Sequence, residues 1–427
     1  MRNQPINPNV LTFYAFNTVQ ALGRGVWMGN VLSLYIVILA EAGQAQLWGL
    51  TPNELLGTTS AVTGVAMLLT SVPAGLLADR WSTRGVVLIA AILGVAGLLI
   101  LGIGADLSAI VIGLSLWGMF LGASRPAAEA ILANSTRSGD RSLIYSRAHL
   151  LEQIGMGSGP LLNVVLFWVL GDVWDLAILR RVMHVGLLVS CCSALLALAF
   201  RPKHTLGEES ESLAHRGDPA AEGAPDRYTR LRPWIPYAFL ASSFIIGSGA
   251  GMTVKFFPVF FRNVYGFQPV AVQLVIGSGL LLTAAATWLA QRLSRRRGRG
   301  ELIVIVQAAA IVCLLGMAAY PAPAIAVPLF LARGALMNAA TPLSRTIVMD
   351  YVPRRRRAVW SSLQTIAWGL FWNVSAMVGG FLVGQDNFRR VFLVTAVVYV
   401  VGAGIIVPFV PAVHRETQQS APTGRRR

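Results

Sequence analysis

The sequence predicts an all-α membrane protein with twelve transmembrane helices in two pseudo-symmetric six-helix bundles. Three observations carry this. Of 427 residues, 55% are hydrophobic and only 13% are charged, whereas soluble domains carry about 25% charge. The apolar residues fall into twelve runs, each near the ~20 residues that cross a bilayer as a helix. One long polar segment divides these runs six and six.

The runs cover residues 11–39, 55–78, 85–105, 107–133, 144–170, 182–200, 234–261, 270–290, 302–320, 322–349, 358–384 and 389–411. Backbone polar groups must be satisfied internally in lipid, so uninterrupted apolar runs read as helices. The short alternating segments of a β-barrel are missing. The first run is too long for the apolar core of a signal peptide, so it is expected to stay as a span. The expected organisation is an N-terminal bundle over 1–200, a cytoplasmic linker over 201–232, a C-terminal bundle over 233–411 and a cytoplasmic tail over 412–427. The linker holds Glu208, Glu209, Glu211, Asp218, Pro219, Gly223 and Pro225, a polar, turn-rich composition.

Net charge is +16, from 33 Arg, two Lys and 19 acids. Placement explains the excess. With both termini cytoplasmic, 25 basic residues fall in cytoplasmic segments and five in outer loops; the other five lie inside spans. That bias is the positive-inside signature. It accounts for the charge without a nucleic-acid partner, and no soluble domain is left to bind one. The expected location is the plasma or inner membrane, with both termini cytoplasmic.

Several chemistries are excluded. A phosphate-binding P-loop needs Gly-Lys-Ser/Thr, but the two lysines, Lys203 and Lys255, follow Pro202 and Val254. Any work on a solute must therefore draw on a gradient or on another subunit. Cys191, Cys192 and Cys313 give neither a disulfide framework nor zinc spacing. Neither a catalytic set nor a cofactor loop stands in a credible context, so no cofactor and no enzymatic activity are expected.

Traces of duplication run in chain order. Gly23–Met28 resembles Gly247–Met252 at an offset of 224. Leu77–Arg80 resembles Leu289–Arg292 at 212. Pro126 matches Pro342 and Arg141 matches Arg357 at 216. Ordered weak matches are what a duplicated six-helix unit leaves.

After the second span the chain reads Gly75-Leu76-Leu77-Ala78-Asp79-Arg80-Trp81-Ser82-Thr83-Arg84. This resembles the G-x-L-a-D-R-x-G-R-R motif of the major facilitator superfamily, with Ser82 in place of the second glycine. The resemblance implies that fold, and a cytoplasmic conformational gate built from Gly75, Asp79, Arg80 and Arg84. Asp79 can cap a facing helix or pair with arginine and let go when the halves rock. A plain solvated turn is the competing reading. The second copy has Gln291 where the acid would be.

Span 5 carries Gly155-Met156-Gly157-Ser158-Gly159-Pro160. It looks like the superfamily's antiporter motif, with Asn163 where a trailing glycine usually stands. Gly155, Gly159 and Pro160 serve either a functional bend or ordinary close helix packing. The corresponding stretch of span 11, around Phe371 and Ser375, has lost the motif.

Ionisable residues inside spans are costly and functional by default. Arg24 lies on span 1, Arg125 and Glu129 on span 4, Lys255 on span 7, and Arg333 and Arg345 on span 10; span 5 adds His149 and Glu152. The resemblance implies that spans 1, 4, 7 and 10 line a central cavity. Arg24 and Arg333 fall near mid-membrane and are the leading substrate contacts; Lys255, expected toward the outside, and Arg125, expected toward the inside, are further candidates. Glu129, four residues after Arg125, can pair with it as a gate or carry a proton; its repeat mate, Arg345, joins the gate. Glu152, with His149, either carries the coupled proton or forms a fixed ion pair with a cavity arginine. Trp27, Trp117, Phe256, Phe257, Trp368 and Trp372 could shape the pocket.

Five cations against two acids suit an anionic or zwitterionic solute. The reading is a monomeric secondary transporter whose partners are that solute, protons and the lipid bilayer. Proton-coupled export by alternating access comes first. The alternatives are a proton symporter importing an organic anion, and a non-transporting receptor on the same fold.

Overall fold

The computed structural model describes residues 7–43, 49–80, 82–136, 141–201, 231–352 and 357–413. Among them the chain is helical throughout and no strand occurs. Eleven helical segments are long and apolar enough to cross a membrane, and a shorter apolar stretch, Phe371–Val383, adds to them.

The helices are α1 (Pro8–Trp27), α2 (Asn30–Glu41), α3 (Pro52–Arg80), α4 (Thr83–Ile103), α5 (Leu107–Asn134), α6 (Arg141–Leu170) and α7 (Leu176–Leu196). They continue as α8 (Ile235–Val254), α9 (Phe257–Tyr265), α10 (Pro269–Arg297), α11 (Arg299–Ala318), α12 (Pro323–Tyr351), α13 (Arg357–Val383) and α14 (Phe388–Ile406). Two runs expected to be single helices are each broken. In the first, Gly29 takes ψ −91°, outside the helical range. In the seventh, Pro258 has no N–H to give the Val254 carbonyl, and Phe256 N–H instead tightens onto Thr253 O at 3.0 Å.

The helix boundaries also correct the repeat register. α1 and α8 begin and end 227 residues apart, not 224; α3 and α10 are 217 apart, not 212. Short runs of glycine, or of Leu-Ala near arginine, match themselves at several shifts. The 216 offset holds where α5 and α12 begin, at Leu107 and Pro323. It also holds for the prolines inside them, Pro126 and Pro342.

Two compact units emerge. The first comprises Met1–Ala220 with Gly266–Gly277; the second comprises Ala221–Tyr265 with Ser278–Arg427. Most of the expected linker and tail, 202–230 and 414–427, lies outside the described residues.

In the first unit α1 packs on α6 and α7, and α5 on α3 and α4. Buried Asn9 ties three elements at one end, donating to Ser135 Oγ at 3.0 Å and Arg201 O at 2.9 Å. Trp27 donates to Ser190 Oγ at 2.9 Å, and its ring meets Trp117 edge-on at 5.7 Å. Segment 266–277 belongs here through Trp174 Nε1, which donates to Phe267 O at 2.8 Å, and Val270 N–H, which donates to Asp172 Oδ1 at 2.8 Å.

In the second unit α8 packs on α13 and α14, as α1 does on α6 and α7, and α11 packs on α12 and α14, as α4 does on α5 and α7. Phe260 sits among Phe261, Tyr265, Tyr320, Phe388 and Phe392 with ring centroids 5.1–5.8 Å away. Large apolar side chains such as Leu69, Ile92, Trp168, Leu281 and Val397 point outward, as lipid-facing residues do.

Candidate functional site

Close helix crossings set the position of the charged residues in the first unit. A Cβ on Gly25 would come within 2.6 Å of Met156 O, and one on Gly155 within 2.5 Å of Thr18 O; one on Gly159 would overlap the Gly25 backbone. Glycine at these three points lets α1 and α6 touch backbone to backbone. Arg24 and Glu152 then reach each other across the crossing.

Glu152 Oε1 lies 3.7 Å from Arg24 Nη2 and 3.3 Å from Arg125 Nη2. Its second oxygen, Oε2, is 3.4 Å from the same Arg125 nitrogen. Arg125 Nε is also 3.5 Å from Glu129 Oε1 one turn along α5. Four ionisable residues from α1, α5 and α6 thus form one chain of ion pairs with two positive and two negative charges. Glu152 and Arg24 are each 17% exposed, but Arg125 and Glu129 are 44% and 45% exposed, so a solute can reach the network from the α5 side. Arg24 Nε is buried with no hydrogen-bond partner among the described residues. His149 is exposed, one turn before Glu152 on α6.

The second unit holds its cations differently. Arg333 is 4% exposed. Its Nη2 donates to Tyr399 Oη at 2.7 Å and to Thr253 Oγ1 at 3.4 Å. Its guanidinium lies 5.0 Å from the Phe257 ring centroid and 5.8 Å from that of Tyr399, within cation–π range. Lys255 stands at the α8–α9 break, where its Nζ donates to Asn373 Oδ1 at 2.7 Å.

The structure therefore brings Arg24, Arg125, Glu129 and Glu152 together and leaves Lys255 and Arg333 in separate polar contacts. Arg345, Arg80 and Arg84 are exposed on α12, α3 and α4. Gly75 has open space where a Cβ would go. The Asp79 side chain lies outside the described residues. Pro160 is buried inside α6. Trp27, Trp117, Phe256 and Phe257 are fully buried packing residues; Trp372 is half-buried, and the Trp368 side chain lies outside the described residues.

Both departures from the motifs have local work. Ser82 caps α4, its Oγ accepting from Gly85 N–H at 3.1 Å. Asn163 is fully buried. Its Nδ2 donates to Val26 O at 2.9 Å, the carbonyl that an unbroken first helix would give to residue 30. It also lies 3.4 Å from Gln273 Oε1, which accepts from Asn30 Nδ2 at 3.1 Å. Span 11 keeps the close crossing despite losing the motif: Gly251 lies against Trp372 O and Gly379 against Met252 O. The residues not singled out from sequence are Tyr399, Thr253, Asn373 and Gln273. Only their polarity inside apolar runs marked them.

A duplicated polytopic helical bundle with ion-paired residues deep in its spans defines an integral membrane protein of the transporter class. A family model described as the Major Facilitator Superfamily matches residues 25–336 and 326–427, and the chain belongs to that superfamily. Among solved structures it is similar to a D-xylose-proton symporter, with TM-score 0.72 and 16% identity, covering 95% of this chain and 98% of that one. It is similar to a bacterial homologue of the human lysosomal transporter Spinster, with TM-score 0.69 and 14% identity over 97% and 99%. The nucleoside transporter NupG aligns with TM-score 0.68 and 15% identity over 94% and 98%. No curated protein sequence matched the chain significantly. The structural likenesses establish the fold; the superfamily is one of membrane transporters of small molecules.

Proposed function

We propose that the protein is a proton-coupled secondary transporter of a small organic anion or zwitterion, working by alternating exposure of its site to the two sides of the membrane. What supports this is the convergence of Arg24 and Arg125, from different helices, on a single reachable carboxylate. Guanidinium pairs of this kind recognise carboxylate and phosphate groups. Glu152 and Glu129 are the proton carriers of the proposal, and His149 stands beside them. Lys255 and Arg333 complete the substrate contacts, Arg333 after release from Tyr399. Asp79, Arg80, Arg84, Gly75 and Arg345 form the cytoplasmic gate. Both termini are cytoplasmic, and the chain works as a monomer.

The Gly155–Pro160 motif favours export against protons, the first reading. The position of Glu152 between two arginines favours the second, proton symport importing an organic anion. Purified protein in proteoliposomes of known orientation, with an imposed pH gradient, tests the proposal against a panel of labelled carboxylates, phosphate esters and amino acids. Gradient-driven accumulation of at least one is expected, and its sense separates export from import. Absence of pH-driven flux for every compound would overturn the proposal. Arg24→Ala and Arg333→Ala should each abolish that flux while inserting normally; full transport by both variants would remove them from the substrate site.

A further inference from the structure

We infer that Glu152 is a built-in stand-in for the substrate's own carboxylate, so that anion and proton bind together and move in the same sense. The inference rests on the proposed transport reading and specifies its substrate class and coupling.

The two guanidiniums offer far more donors than the network uses. Each arginine has five N–H groups, yet Glu152 is held at 3.3–3.7 Å, longer than the ~2.8 Å of a tight charge-assisted bond, and Arg24 Nε has no partner among the described residues. The carboxylate is held loosely by two cations with spare capacity. A flat, two-oxygen anion of the same shape can take its place.

The groups facing Glu152 limit what happens next. They are Arg24 and Asn17 on α1, Arg125 on α5 and His149 on α6, with Glu129 on the far side of Arg125 and Arg147 two residues before His149 on α6. With Glu152 ionised, Arg24, Arg125, Glu129 and Glu152 sum to zero. An incoming carboxylate occupies the two guanidiniums and leaves the Glu152 carboxylate without its cations, in a region 17% exposed. Uptake of one proton on a Glu152 oxygen restores neutrality: two arginines against Glu129 and the substrate, with Glu152 now neutral. No bond other than that O–H forms. Each ligand therefore improves the binding of the other, by the reciprocity of linkage. A competing-proton exchanger would show the opposite sign. The cycle carries one monocarboxylate and one proton, with no net charge.

The test uses the full-length protein in detergent and in proteoliposomes, with lactate and benzoate as probes. In weakly buffered solution with an indicator dye, wild-type binding of either probe should take up about one proton per site. Affinity should rise about tenfold for each unit the pH falls where Glu152 titrates, as one linked proton requires. Glu152→Gln should bind with a pH-independent affinity close to the wild-type value at low pH. Flux driven by a pH gradient should be unchanged when valinomycin and potassium clamp the membrane potential. Proton release on binding, tighter binding at high pH, or potential-driven flux would overturn the inference while leaving proton-coupled transport intact. Failure of both probes to bind at any pH, with pH-driven flux of a phosphate ester or amino acid, would overturn the carboxylate assignment alone. Failure to bind with no flux of any compound would sink the transport reading with it. If Glu152→Gln does not fold, the wild-type proton count decides.

Discussion

A Cβ placed on Gly159 would lie 2.5 Å from the Cα of Gly25, so the backbones of α6 and α1 are in direct contact where the charged network begins. Gly159→Ala should therefore push the helices apart, destabilising the protein by about 1–3 kcal/mol, the usual cost of overpacking. It should also lengthen the Arg24–Glu152 pair. Thermal unfolding of the purified variant checks the first effect. Gly75→Ala is the control: nothing lies within 4 Å of the added methyl, and the melting temperature should not fall.

Asn163 joins the first helix, at its break, to segment 266–277. Asn163→Gly restores the glycine of the superfamily motif but strips Val26 O of its donor and Gln273 of one partner. Leaving buried polar groups unpaired costs about 1–3 kcal/mol each. The variant should melt earlier, and amide exchange of residues 30–33 should accelerate. Unchanged exchange there would show that the bond contributes nothing at the break.

Arg333 and Tyr399 should be strongly coupled. Tyr399→Phe removes the 2.7 Å acceptor from a buried guanidinium and should cost about 1–3 kcal/mol. Made in an Arg333→Met background, the same change should cost much less. A double-mutant cycle on unfolding free energy gives the coupling; additive effects would mean that the two side chains act independently.

Ser82 caps α4, so Ser82→Ala should lose about 1 kcal/mol of stability, whereas Ser82→Gly, which restores the motif glycine, should lose only a few tenths. Denaturant unfolding of the three proteins ranks them. Equal loss for both substitutions would remove the capping role.

The twelve apolar runs and their division into two similar halves were legible because lipid leaves a helix no alternative, and Arg125 with Glu129 because four residues make one turn. The meeting of Glu152 with two arginines was not, since it depends on the depth at which α1 crosses α6. Sequence offered one cavity arginine as a partner and could not supply the second. The breaks at Gly29 and Lys255 were also hidden. Gly29 is one glycine among 42, and Pro258 signals a bend without fixing where the preceding helix stops. Arg333 was read from its depth as reaching for solute, because nothing in the spacing placed Tyr399, 66 residues later, against it.

The interruptions between α1 and α2 and between α8 and α9 make each of these two spans an articulated rod. Swivelling an intact helix would cost ladder hydrogen bonds, about 1 kcal/mol for each. Here those bonds are already absent at the joint, while the first piece of each rod stays fastened to its neighbour through Gly25 and Gly251. Beyond each joint the rod is held by side chains rather than by the ladder, α2 through Asn30 and Gln273 and α9 through the rings around Phe260, and the two joints lie 227 residues apart.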